Sequence, residues 1–342
     1  MRTKILGTVL VVMVAIGGLQ VFQNLYKENH YGDYNPFGIE SATTQTKLNA
    51  ETVSPVRLSM SDSKVMIEET FKVDSGDNLI ISVSHADVEI QTNRSNRAEI
   101  EVRMDARRME RATERFEAME WSVYQKNGEI VIEADSPRGN WSNLSMDINV
   151  LVTIPSTFNL ELETSHGDVD LDDLMGTVKL LTSRGDVIFS ELEGDFVRIK
   201  SSHGDISGAS VRSKEIYVRT SHADIDLDEI YSGQFSAATS HADISVGRIE
   251  GDSDLSTSHG DIEAFIADKW DATFETKHGD IEIMLDADAG VDFDLRASEI
   301  EVSNTFSIKG RSNREVLEGA ANGGGRNIRA RTTHGSIEVD NR

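Results

Sequence analysis

A six-residue phrase recurs along the second half of the chain and constrains the fold more than any other feature. It reads T-S-H-G-D-V at residues 164–169. It recurs at residues 182–187, 201–206, 220–225, 239–244, 257–262 and 276–281, with an 18- or 19-residue step between successive copies. An early copy stands at 83–88 and a last one at 332–337, and a degenerate copy at 297–300 keeps the 19-residue step. So constant a period indicates a repeat architecture in which each unit stacks on its neighbours.

Between the phrases, apolar residues alternate with polar ones. One unit has Val187 and Phe189, then Leu192, then Val197 and Ile199 after a corner that contains glycine. A period of two predicts strands with one buried face. A unit this short has no room for a helix beside two strands and two turns. We therefore predict an all-β fold, a single-stranded parallel β-solenoid, and expect right-handed coils because parallel crossovers are almost always right-handed.

The composition agrees with a thin core of stacked strands. Hydrophobic residues make up 38% of the chain and aromatic residues 6%, and there are only four prolines, which ladder positions exclude. The absence of cysteine rules out disulfides, thiol nucleophiles and Cys-ligated zinc. The formal net charge of −25 argues against nucleic acid as a partner, because phosphate binding needs a cationic surface.

The N-terminal segment, residues 1–22, has the layout of an export signal. Arg2 and Lys4 precede an apolar run over residues 5–19. This pattern predicts a cleaved signal peptide or, if cleavage fails, an anchor in the inner membrane formed by residues 5–22. In both cases the rest of the chain is extracytoplasmic, in the periplasm, at the cell surface or secreted. Residues 23–63 are polar and aperiodic, which is typical of a flexible tether.

The exported part divides into two regions by its pattern. Residues 64–158 read as strands interrupted by an amphipathic helix at 106–120, with Met109, Ala112, Phe116 and Met119 on one face. We interpret this β-rich region as a cap, because the ends of a solenoid need protection against edge-to-edge association. Residues 159–342 form the predicted solenoid.

The repeated histidine and aspartate are the candidate site residues. Equivalent positions in a solenoid stack about 4.8 Å apart. Imidazole and carboxylate groups at that spacing favour a site for zinc, copper or nickel. The predicted ligands are His166, His203, His222, His241, His259 and His278, with Asp168, Asp186, Asp205, Asp224, Asp243, Asp261 and Asp280.

Two other interpretations of the same column stay open. In a structural one, the aspartate accepts N–H groups of its own turn, while neutral histidines stack or donate to the next coil's aspartate. In the other, the column gains charge near pH 6 and senses pH. The acidic stretches at residues 168–173 and 286–294 suggest either calcium or solvated turns, although neither follows a known calcium loop.

The chain also resembles a known family. The export signal, the phrase V-T-I-P-S-T-F-N-L-E-L-E-T-S-H-G-D-V at 152–169 and the reiterated T-S-x-G-D-I steps resemble the bacterial "putative adhesin" family of β-solenoid proteins. The resemblance covers residues 64–342. It implies a solenoid at the cell surface and supplies no catalytic residues. This sequence has histidine where that family usually has serine or asparagine.

We therefore predict a non-enzymatic adhesin or scaffold whose partner is an envelope or cell-surface protein or polysaccharide. The alternative is a carbohydrate-active β-helix enzyme, a polysaccharide lyase or hydrolase. Such an enzyme gathers unlike side chains at one cleft, whereas the polar positions here are spread evenly along the chain. Arg184, which replaces histidine in one copy, is the single local exception, and the residues give no oligomeric state.

Overall fold

A computed structural model describes residues 62–135, 145–267 and 269–342. The predicted signal or anchor at residues 1–22 and nearly all of the predicted tether at 23–63 lie outside these ranges. In the described ranges no helix has the length and apolar character needed to cross a membrane.

Twenty-four strands and one short helix are described, which confirms the predicted all-β fold. In chain order they are β1 (Asp62–Lys72), β2 (Asn78–Val83), β3 (Asp87–Asn93), β4 (Arg97–Ala106), α1 (Met109–Glu117), β5 (Ser122–Lys126), β6 (Glu129–Glu133), β7 (Met146–Pro155), β8 (Asn159–Thr164), β9 (Val169–Leu171), β10 (Leu174–Met175), β11 (Val178–Leu181), β12 (Val187–Lys200), β13 (Ile206–Arg219), β14 (Ile225–Ala238), β15 (Ile244–Ser256), β16 (Ile262–Ile266), β17 (Ala272–Glu275), β18 (Ile281–Leu285), β19 (Val291–Arg296), β20 (Glu299–Val302), β21 (Ile308–Ser312), β22 (Val316–Ala321), β23 (Arg326–Arg331) and β24 (Ser336–Asn341).

The central coils stack in parallel and in register, as the repeat predicts. Val187 pairs with Ile206, and Lys200 at the other end of β12 pairs with Arg219. The same 19-residue step joins β13 to β14, and β14 to β15 as far as Tyr231, after which a register shift makes the step 18 residues. In each coil the alternating apolar residues point inward and the residues between them face solvent. These stacked interiors form one continuous core along the solenoid.

Large and small side chains are matched between neighbouring coils of this core. Phe189 is buried, and the equivalent residue of the next coil is Gly208. A Cβ atom on Gly208 would lie 2.0 Å from the Phe189 ring. A larger residue at 208 would overlap the ring, and a smaller residue at 189 would leave a void, and a close-packed core tolerates neither. The large residue at 189 therefore requires the small one at 208.

At the N-terminal end the solenoid starts before the predicted boundary at residue 159. β2 pairs in parallel with β8, and β3 with β9, so residues 78–93 already form a coil. The chain then leaves the stack and returns at β8. The intervening residues add strands at two edges of this end of the sheet. β7, β4 and β1 follow β3 in that order at one edge, and β6 and β5 follow β2 at the other.

At the C-terminal end the stacking order departs from the chain order. The 19-residue step predicts that residues 291–302 lie directly on the coil before them. Instead, β23 and β24 stack on β17 and β18. β19 and β20 then stack on β23 and β24 as the outermost coil. The last copy of the phrase thus inserts between two copies that precede it in the chain, and the β21–β22 hairpin flanks β19.

The helix is shorter than the prediction of residues 106–120. Ala106 belongs to β4, where it pairs with Asp62 on one side and Met146 on the other. At the far end Glu120 adopts a positive φ of 51°, which ends the helical path. The predicted apolar face is correct, since Ala112 and Phe116 are buried against the N-terminal part of the core.

Candidate functional site

One corner of the solenoid carries the repeated phrase in coil after coil, up to the degenerate copy at 297–300, and its backbone is packed against the corner below. A Cβ atom on Gly204 would lie 1.8 Å from the carbonyl oxygen of Gly185. The same clash recurs at Gly279 with the Gly260 carbonyl. The close approach favours glycine at this position, although the corners at residues 86, 223 and 242 accommodate alanine.

The threonine that opens the phrase points into the core and fastens the corner. Thr276 Oγ1 donates to the Gly260 carbonyl at 3.0 Å, and Thr332 Oγ1 to the Gly279 carbonyl at 2.8 Å. These bonds satisfy a hydroxyl that is shielded from water. The buried hydroxyls of Thr164 and Thr182 have no such partner.

The histidines of the phrase form a stack of exposed rings on the outside of this corner. We call this stack the imidazole column; its members, in spatial order, are His85, His166, His203, His222, His241, His259, His278 and His334, and Arg184 occupies the position between His166 and His203. Neighbouring ring centroids are 4.6–5.1 Å apart. The planes are parallel within 12°.

One nitrogen of these rings faces the backbone of the coil below. His222 Nδ1 lies 3.3 Å from the carbonyl oxygen of Ser202, and His334 Nδ1 lies 3.2 Å from that of Lys277. His203, His241 and His259 make the same contact at 3.3–3.4 Å. A carbonyl oxygen only accepts, so these contacts are hydrogen bonds in the tautomer that carries the proton on Nδ1. A neutral imidazole has a single N–H, and Nε2 therefore keeps its lone pair.

The aspartates of the phrase form a second column, the aspartate ladder, made of Asp87, Asp168, Asp186, Asp205, Asp224, Asp243, Asp261 and Asp280. Each Oδ1 accepts the backbone N–H of the equivalent residue one coil on, as Asp224 does from Asp243 at 2.9 Å. Asp280 ends the ladder by accepting both the N–H and the hydroxyl of Ser336. The structural interpretation predicts that the aspartate accepts N–H groups of its own turn. That prediction is wrong, because the donor N–H belongs to the next coil.

The ladder also explains how like charges tolerate this spacing. Two carboxylates about 4.8 Å apart repel by roughly 3–4 kcal/mol at an effective dielectric constant of 20. A hydrogen bond from an N–H to a carboxylate stabilises the charge by roughly 1.5–3 kcal/mol. The hydrogen bond that each carboxylate accepts therefore offsets much of the repulsion. The same bond links its coil to the next one.

Two histidines of the column resist protonation. Desolvation, repulsion from the rings of His334 and His259, and the nearby Lys277 lower the pKa of His278. At the other end, burial, His166 and the Arg115 guanidinium lower the pKa of His85. Both shifts keep the lone pair of the neutral ring available at a pH where an isolated imidazole would be charged.

Most of the predicted metal ligands are brought together. The histidines at positions 203–278 form one uninterrupted stack, and Arg184 separates His166 from it. The list of predicted ligands omitted His85 and His334, which join the two ends of the column. Both lie in copies of the phrase, but their distance along the chain hides the contact. Among the described residues no three His, Asp or Glu side chains already converge on a metal position.

The two acidic stretches are occupied by contacts of their own. Asp172 accepts the N–H of Thr92, and Asp173 that of Glu191. Asp294 forms ion pairs with three arginines, Arg296, Arg329 and Arg331. Because these carboxylates serve neighbouring strands, the contacts favour acidic turns over a preformed calcium loop.

Comparisons with known proteins agree with this architecture. The model of the Toastrack DUF4097 family matches residues 76–340, from just before β2 to the end of β24. No curated protein matches the chain. A solved "putative adhesin" from Bacteroides fragilis is similar at 12% identity and a TM-score of 0.43, covering 82% of this chain and 97% of that one. Another from Parabacteroides distasonis has 11% identity and a TM-score of 0.46, covering 82% and 98%.

Proposed function

The chain belongs to the Toastrack DUF4097 family, and from that premise we propose that it is a non-enzymatic β-solenoid of the cell envelope that binds transition-metal ions along its imidazole column. The observation that carries the proposal is the stack of exposed rings whose Nδ1 atoms face backbone carbonyl oxygens, the arrangement that leaves Nε2 without a proton in a neutral ring. Neutral imidazole nitrogen is the common protein ligand for zinc, copper and nickel.

Repetition supports a binding surface rather than a catalytic cleft. A glycosidase or lyase needs unlike groups at one place, such as an acid and a base held at a fixed separation. Here the same imidazole and carboxylate recur in coil after coil, and each carboxylate already accepts a backbone N–H. Arg184 is the exception, and its neighbours in the column are histidines of the same kind.

The envelope location rests on the sequence of residues 1–22, with its two cations and its apolar run. An exported chain meets metal ions, polysaccharides and surface proteins rather than cytoplasmic metabolites. A scaffold or adhesin role fits a stack whose outer faces are flat and continuous, because such faces offer an extended contact surface.

Metal binding requires a small movement of the rings. Two nitrogens that share one tetrahedral zinc ion at about 2.05 Å lie about 3.4 Å apart. The stacked rings are 4.9 Å apart at His222 and His241, so the two must tilt towards each other. Exposed side chains have this freedom, and water or an aspartate would complete the shell. Such sites would be of modest affinity and would bind ions at alternate pairs along the column.

Calorimetric titration of the full chain with zinc tests the proposal. We expect the double substitution His203→Asn and His222→Asn to remove one of the three pairs of the uninterrupted stack and its share of the heat. The matched control is His30→Asn, the histidine outside the repeated phrase, which should leave the titration unchanged. Binding should also weaken on acidification, because protons compete with the metal ion for imidazole nitrogen. Equal heats for the double variant and the control would refute the metal proposal.

A further inference from the structure

A compact group of cations stands out on this acidic chain. We call it the basic patch and define it as Lys179, Arg198, Lys200 and Arg219, which are exposed on the outer side of β11, β12 and β13. Lys179 pairs in register with Arg198, and Lys200 with Arg219. Like charges directly opposite each other destabilise a sheet. This arrangement therefore works against folding, on a chain whose net charge is −25.

Several cations elsewhere on the solenoid have carboxylate partners. Arg248 pairs with Glu250, and Arg296 with Glu318. In the patch, Lys179 reaches Glu161 at 3.6 Å. In the described part of the chain, Arg198, Lys200 and Arg219 form no ion pair within 4.0 Å. Three guanidinium and ammonium groups thus remain available to an external anion.

Aromatic rings accompany the cations. The Arg198 guanidinium lies 5.1 Å from the Phe196 ring centroid and 5.6 Å from that of Tyr217. The two rings are 5.9 Å apart and tilted by 46°. Leu181, beside Lys200 in the sheet, is 45% exposed. The surface therefore combines charge with half-buried rings and an apolar side chain.

A shallow groove of about 570 Å³ lies at the corner formed by residues 193–195 of β12 and 212–214 of β13. This corner precedes the patch residues along both strands. Tyr231 and Trp270 line the groove, and the Arg212 guanidinium lies 4.1 Å from the Tyr231 ring centroid. Small residues such as Gly194 and Gly233 also line the groove. Carboxylates such as Glu193 also border it and can accept hydrogen bonds from hydroxyl groups.

We propose that the basic patch and this groove bind an anionic polysaccharide. Arginine and lysine would bind its carboxylate or phosphate groups. Aromatic faces would pack against the apolar faces of its sugar rings, and the acidic side chains at the groove would accept hydrogen bonds from its hydroxyls. Nucleic acid fits less well, because a DNA strand carries the same charge per unit but lacks the free sugar hydroxyls that those carboxylates would bind. The site is separate from the metal proposal and does not depend on it.

The test measures binding of the full chain to a galacturonate oligomer, with a neutral glucose oligomer and an oligothymidylate of the same length as comparisons. We expect the triple substitution Arg198→Gln, Lys200→Gln and Arg219→Gln to weaken galacturonate binding by at least about tenfold. The matched control is Arg296→Gln, Arg329→Gln and Arg331→Gln, which removes the same charge from cations that are already paired with carboxylates. This control should change binding by less than about twofold.

Two further readouts separate this site from a general charge effect. Tyr217→Ser should weaken galacturonate binding about threefold without changing its salt dependence, because stacking is not screened. Thermal melting confirms that each variant is folded. The proposal is overturned if both triple variants lose binding equally, if the oligothymidylate binds as tightly as the galacturonate, or if galacturonate does not bind the wild-type chain.

Discussion

The ring of His278 stacks on that of His334 with centroids 4.7 Å apart, although the two residues are far apart along the chain. The residue that the 19-residue repeat would bring onto His278 lies instead one coil further out. The C-terminal segment has inserted between the two, so the imidazole column and the core below it remain continuous. Column continuity at this end therefore depends on the segment 326–342, which carries β23 and β24.

Engineered disulfides can test this insertion directly, because the chain contains no cysteine. Glu282 pairs in register with Glu338, and Glu338 with Glu301. Adjacent strands lie about 4.8 Å apart, within disulfide range, whereas alternate strands at about 10 Å are beyond it. We expect Glu282→Cys with Glu338→Cys to crosslink on mild oxidation, as seen by non-reducing electrophoresis. The control pair Glu282→Cys with Glu301→Cys, which the 19-residue step would make neighbours, should not; the reverse result would contradict the insertion.

The buried threonines of the corner provide a matched pair of substitutions. Thr276→Val removes a hydroxyl that donates to the Gly260 carbonyl, and should lower the free energy of unfolding by about 1–2 kcal/mol. Thr182→Val removes a buried hydroxyl without a partner and should be neutral or stabilising. Urea denaturation measures both. If the two variants lost equal stability, the inward hydrogen bonds would not be what fastens the corner.

The corner at Gly204 should not tolerate a methyl group, although the equivalent corners at residues 223 and 242 hold alanine. Gly204→Ala would press its Cβ against the Gly185 carbonyl, and relieving that contact should cost about 2–3 kcal/mol. Ala223→Gly, at the same position one coil on, is the control and should cost at most about 1 kcal/mol, because it only loosens the backbone. A small effect of Gly204→Ala, measured by the urea midpoint, would mean that the coils can separate at the corner.

The lowered pKa values of His85 and His278 predict that acid destabilises the fold in a defined window. Below about pH 6.5 the unfolded chain binds a proton at these residues more readily than the folded one. Stability should therefore fall as the pH drops through 6.5, and this loss should stop once the folded-state pKa is passed. His278→Asn should flatten the dependence of the urea midpoint between pH 7.5 and 5.5. A wild-type midpoint that does not change over this range would contradict the prediction.

Carboxyl groups should act with the opposite sign at lower pH. Burial and neighbouring carboxylates raise the pKa of Glu282, which packs beside Glu263 and Glu338, and that of Asp170. The folded state then binds protons more readily than the unfolded one, so acidification below about pH 5 should restore some stability. The urea midpoint is thus expected to pass through a minimum on the acid side of neutrality. Glu282→Gln should reduce the recovery.

Some of this could be predicted from the sequence and some could not, for physical reasons. The alternation of Val187, Phe189, Val197 and Ile199 encodes the strands and their inward face locally. The position of β24 is not local information, because β20 and β24 carry the same apolar pair, Ile300 and Val302 against Ile337 and Val339, and either strand could cover β18. Likewise, the partners of the ladder aspartates depend on the stacking of coils and not on the turn that each one occupies.

The patch of cations shows the same limit. Lys179, Arg198 and Arg219 look unrelated along the chain and become neighbours only once the register of β11, β12 and β13 is known. The histidines, by contrast, share one position in the repeat, so their stacking was predictable while the proton position on each ring was not. The position of the proton depends on the backbone carbonyl oxygen that Nδ1 faces, which belongs to the coil below.

The tautomer of the column histidines is therefore the most direct test. Long-range proton–nitrogen NMR spectra of the chain at pH 8 distinguish a protonated from an unprotonated ring nitrogen. We predict that His203, His222, His241, His259 and His334 carry their proton on Nδ1 and that Nε2 has the shift of a free, unprotonated nitrogen. Protons on Nε2 would contradict the account, because the nitrogens facing solvent would then have no lone pair to offer a metal ion.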